Sequence, residues 1–279
     1  GGSGTAILSF SYTVAAGDNN ADLDYKTVNS LELNGGTIKD RSGNAALLTL
    51  RVPGAAGSLG ANKGLIIDTT VPTISNVSSA NNNGPYGLNQ TIALTLTFSE
   101  TVMVTGAPRL ELETGAVNNY AVYQSGSGTN ILNFTYSVAS GDAAADLDYA
   151  AANALTLNGG AIYDGVGNPA DITLAAPGLP ASLGFNKDIT VDTTIPTVVN
   201  VSSARDNGAY SAGANIPITV EFNEIVTVAD SPRLKLNTGP AAYAAYSGGS
   251  GSTALTFDYT VQAGDASADL DYSAADSLE

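Results

Sequence analysis

Residues Thr91-Ile92-Ala93-Leu94-Thr95-Leu96-Thr97-Phe98 alternate small or polar side chains with large apolar ones. Successive side chains of a β-strand point to opposite faces, so this stretch places Ile92, Leu94, Leu96 and Phe98 on one face. Residues 131–138 follow the same alternation, and the period of 3.6 that marks an amphipathic helix is not sustained anywhere in residues 68–191. The pattern predicts strands that bury one face in a core.

Shorter stretches of the same kind predict the remaining strands, and turn-rich runs such as Asn81-Asn82-Asn83-Gly84-Pro85 separate them. Seven or more short strands, each with one apolar face, predict an all-β, antiparallel β-sandwich. The additional predicted strands are Ile74–Ser79, Arg109–Glu113, Tyr120–Gln124, Leu155–Leu157 and Ile189–Val191, with Leu8 to Val14 and Leu255 to Val261 as copies of residues 131–138.

The chain repeats itself with a period of about 124 residues. Asp68-Thr69-Thr70-Val71-Pro72 returns 124 residues later as Asp192-Thr193-Thr194-Ile195-Pro196. The block Gly-Asp-x-x-x-Asp-Leu-Asp-Tyr occurs three times, ending at Tyr25, Tyr149 and Tyr272. A period of this length matches one domain. We therefore expect the C-terminal part of a repeat in 1–67, a complete repeat in 68–191 and the N-terminal two-thirds of another in 192–279, as a piece of a longer, elongated array.

Composition excludes several classes of chemistry. The chain of 279 residues has ten Lys and Arg against 26 Asp and Glu, a net charge of −16, and no Cys, His or Trp. Without Cys and His, it cannot form a Ser-His-Asp triad, a thiol nucleophile, a disulfide or a His- or Cys-ligated zinc site. The negative charge argues against nucleic acid, and no apolar run approaches the roughly 20 residues that span a bilayer. We expect no catalysis, no nucleic-acid partner and no membrane insertion.

Three recurring motifs carry a resemblance to a known family. They are Asp-Thr-Thr-x-Pro, Phe-Ser-Glu-x-Val at residues 98–102, and Gly-x-Ile-x-Asp-x-x-Gly-Asn at residues 36–44 and 160–168. In this order they resemble the bacterial Ig-like tandem repeats of very large cell-surface adhesins, and the resemblance covers essentially the whole chain. It implies a secreted, extracellular location at the cell surface, repeats that act mainly as spacers in cell adhesion, and calcium at the junctions between domains.

The acidic residues of the Gly-Asp block have two interpretations. Asp142, Asp146 and Asp148 could supply oxygen ligands to Ca²⁺, because closely spaced carboxylates on a turn provide the hard donors that this ion takes. Alternatively, they belong to a tyrosine corner in which Tyr149 bonds back to the preceding loop and Asp142 closes a turn. Tyr25 and Tyr272 would play the same structural part in the other two copies.

The junction between repeats is the second candidate site. Pro72 and Pro196 stiffen the link, and the preceding residues Asp68 and Asp192 are acidic. The resemblance suggests that further groups converge there on a metal ion, and the alternative is a Pro-stiffened linker with solvated acids. The further groups are Asp40, Asp164, Glu100, Glu224 and the Asn81–Asn83 turn.

The sequence thus favours a non-catalytic spacer that projects a binding tip, with neighbouring repeats of the same chain as its partners. A rival hypothesis is self-assembly into a head-to-tail filament or surface layer. In that case, strands near the start of one chain complete the partial repeat 192–279 of the next. The near-duplication of residues 1–32 in 248–279 counts against it, because both pieces supply the same strands. The expected donor strands are Leu31–Leu33, Leu47–Leu50 and Leu65–Ile67.

Overall fold

The computed structural model describes residues 1–239 and 242–279, which divide into two units, Gly1–Thr193 and Thr194–Glu279. The chain is nearly all β, as predicted. Its helical content in the described residues is two four-residue turns, α1 (Leu59–Asn62) and α2 (Leu183–Asn186). The side chain of Ser58 caps α1 by accepting from Ala61 N (3.1 Å), which accounts for a helical turn in so short a segment.

The strands of the first unit form two sheets. A large antiparallel sheet has the order β1-β3-β6-β5-β4-β8, and β9 pairs with the far end of β3. A small sheet has the order β2-β10-β7, in which β10 runs parallel to β2 and antiparallel to β7. In chain order the strands are β1 (Ile74–Ser79), β2 (Gly84–Tyr86), β3 (Thr91–Thr105), β4 (Arg109–Leu112), β5 (Asn119–Ser125), β6 (Thr129–Ser137), β7 (Ala143–Ala144), β8 (Leu155–Thr156), β9 (Ala161–Tyr163) and β10 (Ile189–Asp192).

Every strand predicted within residues 68–191 is present. The predicted apolar face of β3, from Ile92 to Phe98, is buried in a core that also contains Ile189 and Val191 of the small sheet and Leu183 of α2. Burial of side chains from both sheets is the main source of stability for such a unit.

The second unit forms one antiparallel sheet with the order β11-β12-β15-β14-β13 and a core of its own. Its first strands pair in the same register as those of the first unit, since Val198 lies opposite Phe222 as Ile74 lies opposite Phe98. The strands are β11 (Val198–Ser203), β12 (Asn215–Val226), β13 (Arg233–Lys235), β14 (Tyr243–Gly248) and β15 (Ser252–Thr260).

The predictions of strands within residues 1–67 are wrong. Leu8 to Val14, Leu31–Leu33, Leu47–Leu50 and Leu65–Ile67 form no strands, and the segment has only two isolated bridges, Asn20 with Ile67 and Lys39 with Ala45. The physical reason is the absence of partners: β6 lies between β3 and β5, and residues 1–67 contain no counterpart of either. Phe10 is therefore 76% exposed, whereas its counterpart Phe134 is fully buried.

Candidate metal centre

Three acidic side chains meet near the start of residues 68–191. Each of Asp68, Glu100 and Asp164 contributes a carboxylate oxygen, and the three oxygens lie within 4.8 Å of one another. Asp68 precedes the Thr-Thr-Val-Pro segment, Glu100 lies within β3, and Asp164 follows β9 directly. Among residues 1–239 and 242–279 this is the one group of three such ligands found close enough to share an ion. Asp68 is the acid that precedes the proline-containing link, and Glu100 and Asp164 are among the groups that the resemblance suggested would converge there.

Glu100 reaches this position through a bulge in β3. Between Thr97 and Val102 the strand advances five residues, while its partner β6 advances only two, from Ile131 to Thr129. The additional residues leave the ladder, and bulges of this kind redirect side chains. The antiparallel pairing of Met103 with Tyr163 then aligns β9 with β3, so that Asp164 emerges beside the bulge.

The carboxylate of Asp164 is fixed by its own loop. Its Oδ1 accepts hydrogen bonds from the backbone N–H groups of Val166, Gly167 and Asn168 at 2.7–2.9 Å, and its Oδ2 accepts from Asn168 Nδ2 at 2.6 Å. Asn168 Nδ2 also donates to the carbonyl oxygen of Asp68 at 3.1 Å. Burial alone would raise the pKa of Asp164, but the bonds from Asn168 and the backbone outweigh it and lower that pKa. Asp164 therefore stays ionised although it is only 2% exposed.

The pKa of Glu100 is shifted in the opposite direction to that of Asp164. Its Oε1 is buried and has no hydrogen-bond partner. Burial, followed by the negative charges of Asp68 and Asp164, raises the pKa of Glu100. In the described part of the chain the only salt bridge joins Arg233 to Glu279, so no Lys or Arg of these residues forms an ion pair with the cluster. An ionised Glu100 is thus unfavourable unless a positive charge binds beside it.

The donor set suits a hard cation. All three groups offer oxygen atoms, which Ca²⁺ and Mg²⁺ take as ligands, and no thiolate or imidazole is present in the sequence to favour zinc. The unpartnered Glu100 Oε1 is the atom for which the protein provides no other interaction. The three carboxylates therefore offer the oxygen donors that a hard divalent cation takes.

The corresponding residues elsewhere are placed as follows. Asp40 accepts from Asn44 N and Nδ2, both at 2.8 Å, and is exposed. Asp192 is the exposed last residue of β10 in the first unit. In the second unit Glu224 occupies a bulge of β12 like that of β3, and its Oε1 is also buried without a partner. The Asn81–Asn83 turn does not join the acidic cluster: Asn81 Oδ1 accepts from Ala93 N at 2.8 Å.

Asp142 has a structural place in the turn after β6. Its Oδ2 accepts from Tyr136 OH at 2.6 Å and from Ala139 N at 2.8 Å, which closes the turn. Thr193 Oγ1 donates to the backbone carbonyl of Asp142 at 2.9 Å. The Thr after Asp192 therefore ties the end of the repeat to this turn, an interaction that the sequence analysis missed.

Asp148 holds the loop before α2, since its two carboxylate oxygens accept from Tyr149 N (2.8 Å) and Gly178 N (2.9 Å). Asp146 is exposed, and its Oδ2 lies on the same side of the segment as that of Asp148, because both face Gly184. A methyl group on Gly184 would lie 3.0 Å from Asp148 Oδ2 and 3.3 Å from Asp146 Oδ2, so only glycine fits there comfortably. Burial, then the charges of Asp188 and Asp148, raise the pKa of Asp146.

Tyr149 and Tyr25 do not form the predicted tyrosine corner. Tyr149 OH donates forward to Ala175 O at 2.6 Å, and Tyr25 OH donates to Arg51 O at 2.7 Å, each 26 residues later rather than back to the preceding loop. Tyr272 is 42% exposed.

The two prolines of the junction segments differ in their surroundings. Pro72 is buried, and its carbonyl accepts from Asp171 N at 2.9 Å, whereas Pro196 is exposed.

Asn168 is the functional residue that sequence reasoning overlooked. Its position at the end of the Gly-x-Ile-x-Asp-x-x-Gly-Asn motif, shared with Asn44, was the available signal.

No protein-family model matches the chain, and no curated protein is significantly similar to it. Within the described residues, none of the helices has the length and apolar character needed to cross a membrane.

Proposed function

We propose that this chain is a non-catalytic spacer segment of a repetitive, extracellular cell-surface adhesin, built of Ig-like β-sandwich repeats of about 124 residues and stiffened by calcium. The observation that carries the proposal is the buried, unpartnered Glu100 Oε1 beside the carboxylates of Asp68 and Asp164. Three negative charges without a protein cation would oppose folding unless an ion binds among them. The recurrence of the motifs in fixed order supports a repetitive scaffold rather than a single active site.

A calcium ion bound by these carboxylates would join three segments that are distant in sequence. Asp68 begins the Pro-containing link, Glu100 belongs to β3, and Asp164 belongs to the loop after β9. The bond from Asn168 Nδ2 to the carbonyl of Asp68 already connects the first and third of these. The ion would supply the positive charge that holds the link against the strands, which is what a rigid spacer requires.

The charge of the chain supports the same role. A net charge of −16 keeps neighbouring segments apart in solution, and divalent cations or salt screen this repulsion. An extracellular environment supplies calcium at concentrations that weak, carboxylate-rich sites can use.

The proposal is tested by thermal unfolding of the full chain in EDTA and in 1 mM Ca²⁺. A site with a Kd of about 10 µM should add about 2.7 kcal/mol to the free energy of unfolding of the first unit at this concentration. Asp68→Asn should remove most of this gain while retaining the local turn, because Asp68 Oδ1 accepts from Thr70 N at 2.9 Å and an asparagine oxygen can do the same. Asp171→Asn is the matched control, since Asp171 Oδ1 accepts from Thr173 N at 2.9 Å outside the cluster.

Equal calcium responses in wild type and Asp68→Asn, or no response in either, would refute the calcium-stiffened spacer. The extracellular location is tested separately: antibodies against residues 68–193 should label intact cells of the producing organism, and labelling only after lysis would contradict the location.

A further inference from the structure

An arginine on the outer face of the large sheet is stacked on a tyrosine. In β4 the side chains of Leu110 and Leu112 are buried, so Arg109 lies on the opposite face, away from the core. Its guanidinium carbon lies 4.2 Å from the centre of the Tyr120 ring on the neighbouring strand β5. Stacking fixes the plane of the guanidinium, and the N–H donors that lie in this plane remain able to bind other groups.

The second unit contains the same pair of residues, and there the arginine binds a carboxylate. The guanidinium carbon of Arg233 lies 4.0 Å from the ring centre of Tyr243, and its Nη2 donates to Glu279 Oε2 at 2.9 Å. Glu279 and Arg233 exchange two backbone hydrogen bonds, of 2.8 and 2.9 Å. In the first unit the residue opposite Arg109 is Thr156. A threonine therefore stands where the second unit has its carboxylate.

Arg109 consequently lacks the anion that its counterpart binds. Its Nε is buried without a hydrogen-bond partner, and it takes part in no ion pair in the part of the chain that the structure describes. Glu111 is the next residue on the same face of β4, and its Oε1 accepts from Asn118 Nδ2 at 3.1 Å. Because hydrogen bonds between a guanidinium and a carboxylate are among the stronger ones, this half-buried, oriented cation is a binding group for an external carboxylate.

The surroundings of Arg109 are polar and free of acids. Pairing across five strands places five residues in one row, which spans about 19 Å at the usual spacing of strands. Val122 is the one large apolar side chain among them, whereas a specific protein interface buries a core of aromatic and apolar groups. Hydroxyl groups flank the arginine, which suits a ligand rich in hydroxyls. The row consists of Ala93, Thr135, Val122, Arg109 and Thr156.

We propose that this row binds an acidic polysaccharide, with Arg109 donating hydrogen bonds to the carboxylate of a uronic acid unit. The guanidinium then makes the contact that Arg233 makes with Glu279, and sugar hydroxyls meet the side chains of Thr135 and Thr156. Binding of this kind goes beyond the spacer role and needs no metal ion. It can therefore fail while the calcium-stiffened spacer holds, and the reverse.

The first test is an NMR titration of the full chain with trigalacturonate in EDTA and about 150 mM NaCl. EDTA prevents calcium from bridging the ligand to the protein, and the salt screens the acids far from the row. The backbone signals of residues 109, 120 and 156 and the Nε–H signal of Arg109 should shift. The uncharged methyl ester of the ligand should bind at least tenfold more weakly. No shift at about 20 mM ligand, or equal binding of the ester, would overturn the proposal.

The residue opposite Arg109 allows a sharper test. Thr156→Glu supplies the carboxylate that Glu279 supplies in the second unit, so it should weaken binding of trigalacturonate at least tenfold. Thr156→Gln is the matched control, because it has the same length without the charge and should change the affinity less than threefold. Residue 156 is exposed, so neither change disturbs the core. An affinity unchanged in Thr156→Glu, or lowered equally in Thr156→Gln, would contradict the assigned contact.

The second unit is an internal control in the same titration. Its arginine is already paired with Glu279, and Asp258 stands in its row at the position of Thr135. The signals of residues 233 and 243 should therefore stay in place, and shifts there equal to those at Arg109 would overturn the proposal.

Hexaglutamate distinguishes a polysaccharide from an acidic protein segment. It should bind at least threefold more weakly than trigalacturonate, because it has no hydroxyl groups to meet the two threonines. Binding of hexaglutamate that is as tight or tighter would make the ligand an acidic peptide and overturn the proposal.

Discussion

Neutralising Glu100 should raise the stability of the first unit in the absence of calcium and lower it in the presence of calcium. Two unit charges 4.8 Å apart repel by about 0.9 kcal/mol at the dielectric constant of water, and Glu100→Gln removes two of the three pairs in the cluster. In EDTA the variant should therefore gain about 1.7 kcal/mol in free energy of unfolding. The first unit has 193 residues, and at about 2–4 °C per kcal/mol this corresponds to a rise in Tm of roughly 3–7 °C.

In 1 mM Ca²⁺ the wild type should be more stable than Glu100→Gln, because the variant has lost a ligand and gains little from the ion. Scanning calorimetry of the full chain measures both states, with Glu113→Gln as the control because Glu113 is exposed and outside the cluster. The raised pKa of Glu100 gives a further check in EDTA. The folded state holds this proton more tightly than the unfolded state, so the advantage of the variant should grow as the pH rises above about 4.3. A variant no more stable than wild type in EDTA would refute this account of the cluster.

Four further outcomes are expected. Tyr149→Phe should lower the free energy of unfolding by about 1–3 kcal/mol in a urea titration, since it removes a buried hydrogen bond, whereas Tyr272→Phe should change it by less than about 0.5 kcal/mol. Burial and a neighbouring carboxylate raise the pKa of Tyr149 to about 12. The contribution of Tyr149 to the free energy of unfolding should therefore be complete below about pH 10 and be lost as the pH rises through 12, and urea midpoints measured across this pH range would detect the loss. Gly184→Ala should lower the free energy of unfolding by about 1 kcal/mol, because the added methyl group crowds two carboxylates. Gly165→Ala should not lower it, because the methyl group there meets no atom within 4 Å. Leu94→Ala should lower stability by about 2–5 kcal/mol because Leu94 is fully buried, and an unchanged urea midpoint would contradict the assigned core.

The strands of residues 68–191 could be predicted because their alternation is local. The eight residues from 91 to 98 carry the information for one buried face by themselves. By contrast, β2 falls where the sequence indicates a turn, and it is a strand only because β10, about a hundred residues later, pairs with it. The same dependence explains the error in residues 1–67: Leu8 to Val14 has the right alternation, but the segment lacks the neighbouring strands that alternation requires.

The three acids of the cluster are among the candidate ligands named from the sequence and the resemblance, but neither could single them out or give their geometry. Asp68, Glu100 and Asp164 stand out as recurring acids, yet the bulge that redirects Glu100 depends on the pairing of β3 with both β6 and β9. The connecting role of Asn168 follows from a side-chain bond across 100 residues of sequence, which periodicity cannot indicate.

The pairing of Ile189 with Gly84 has a consequence for the order of folding. The strand that closes the small sheet is the last element of its repeat, so the core beneath it stays open during synthesis until residue 192 has left the ribosome. Contacts between residues so distant in sequence slow folding, because the intervening chain must be ordered before they form. The core of residues 68–192 therefore remains exposed to wrong pairing for most of its synthesis, and the segments of related sequence on either side of it are the ones for which such errors are easiest.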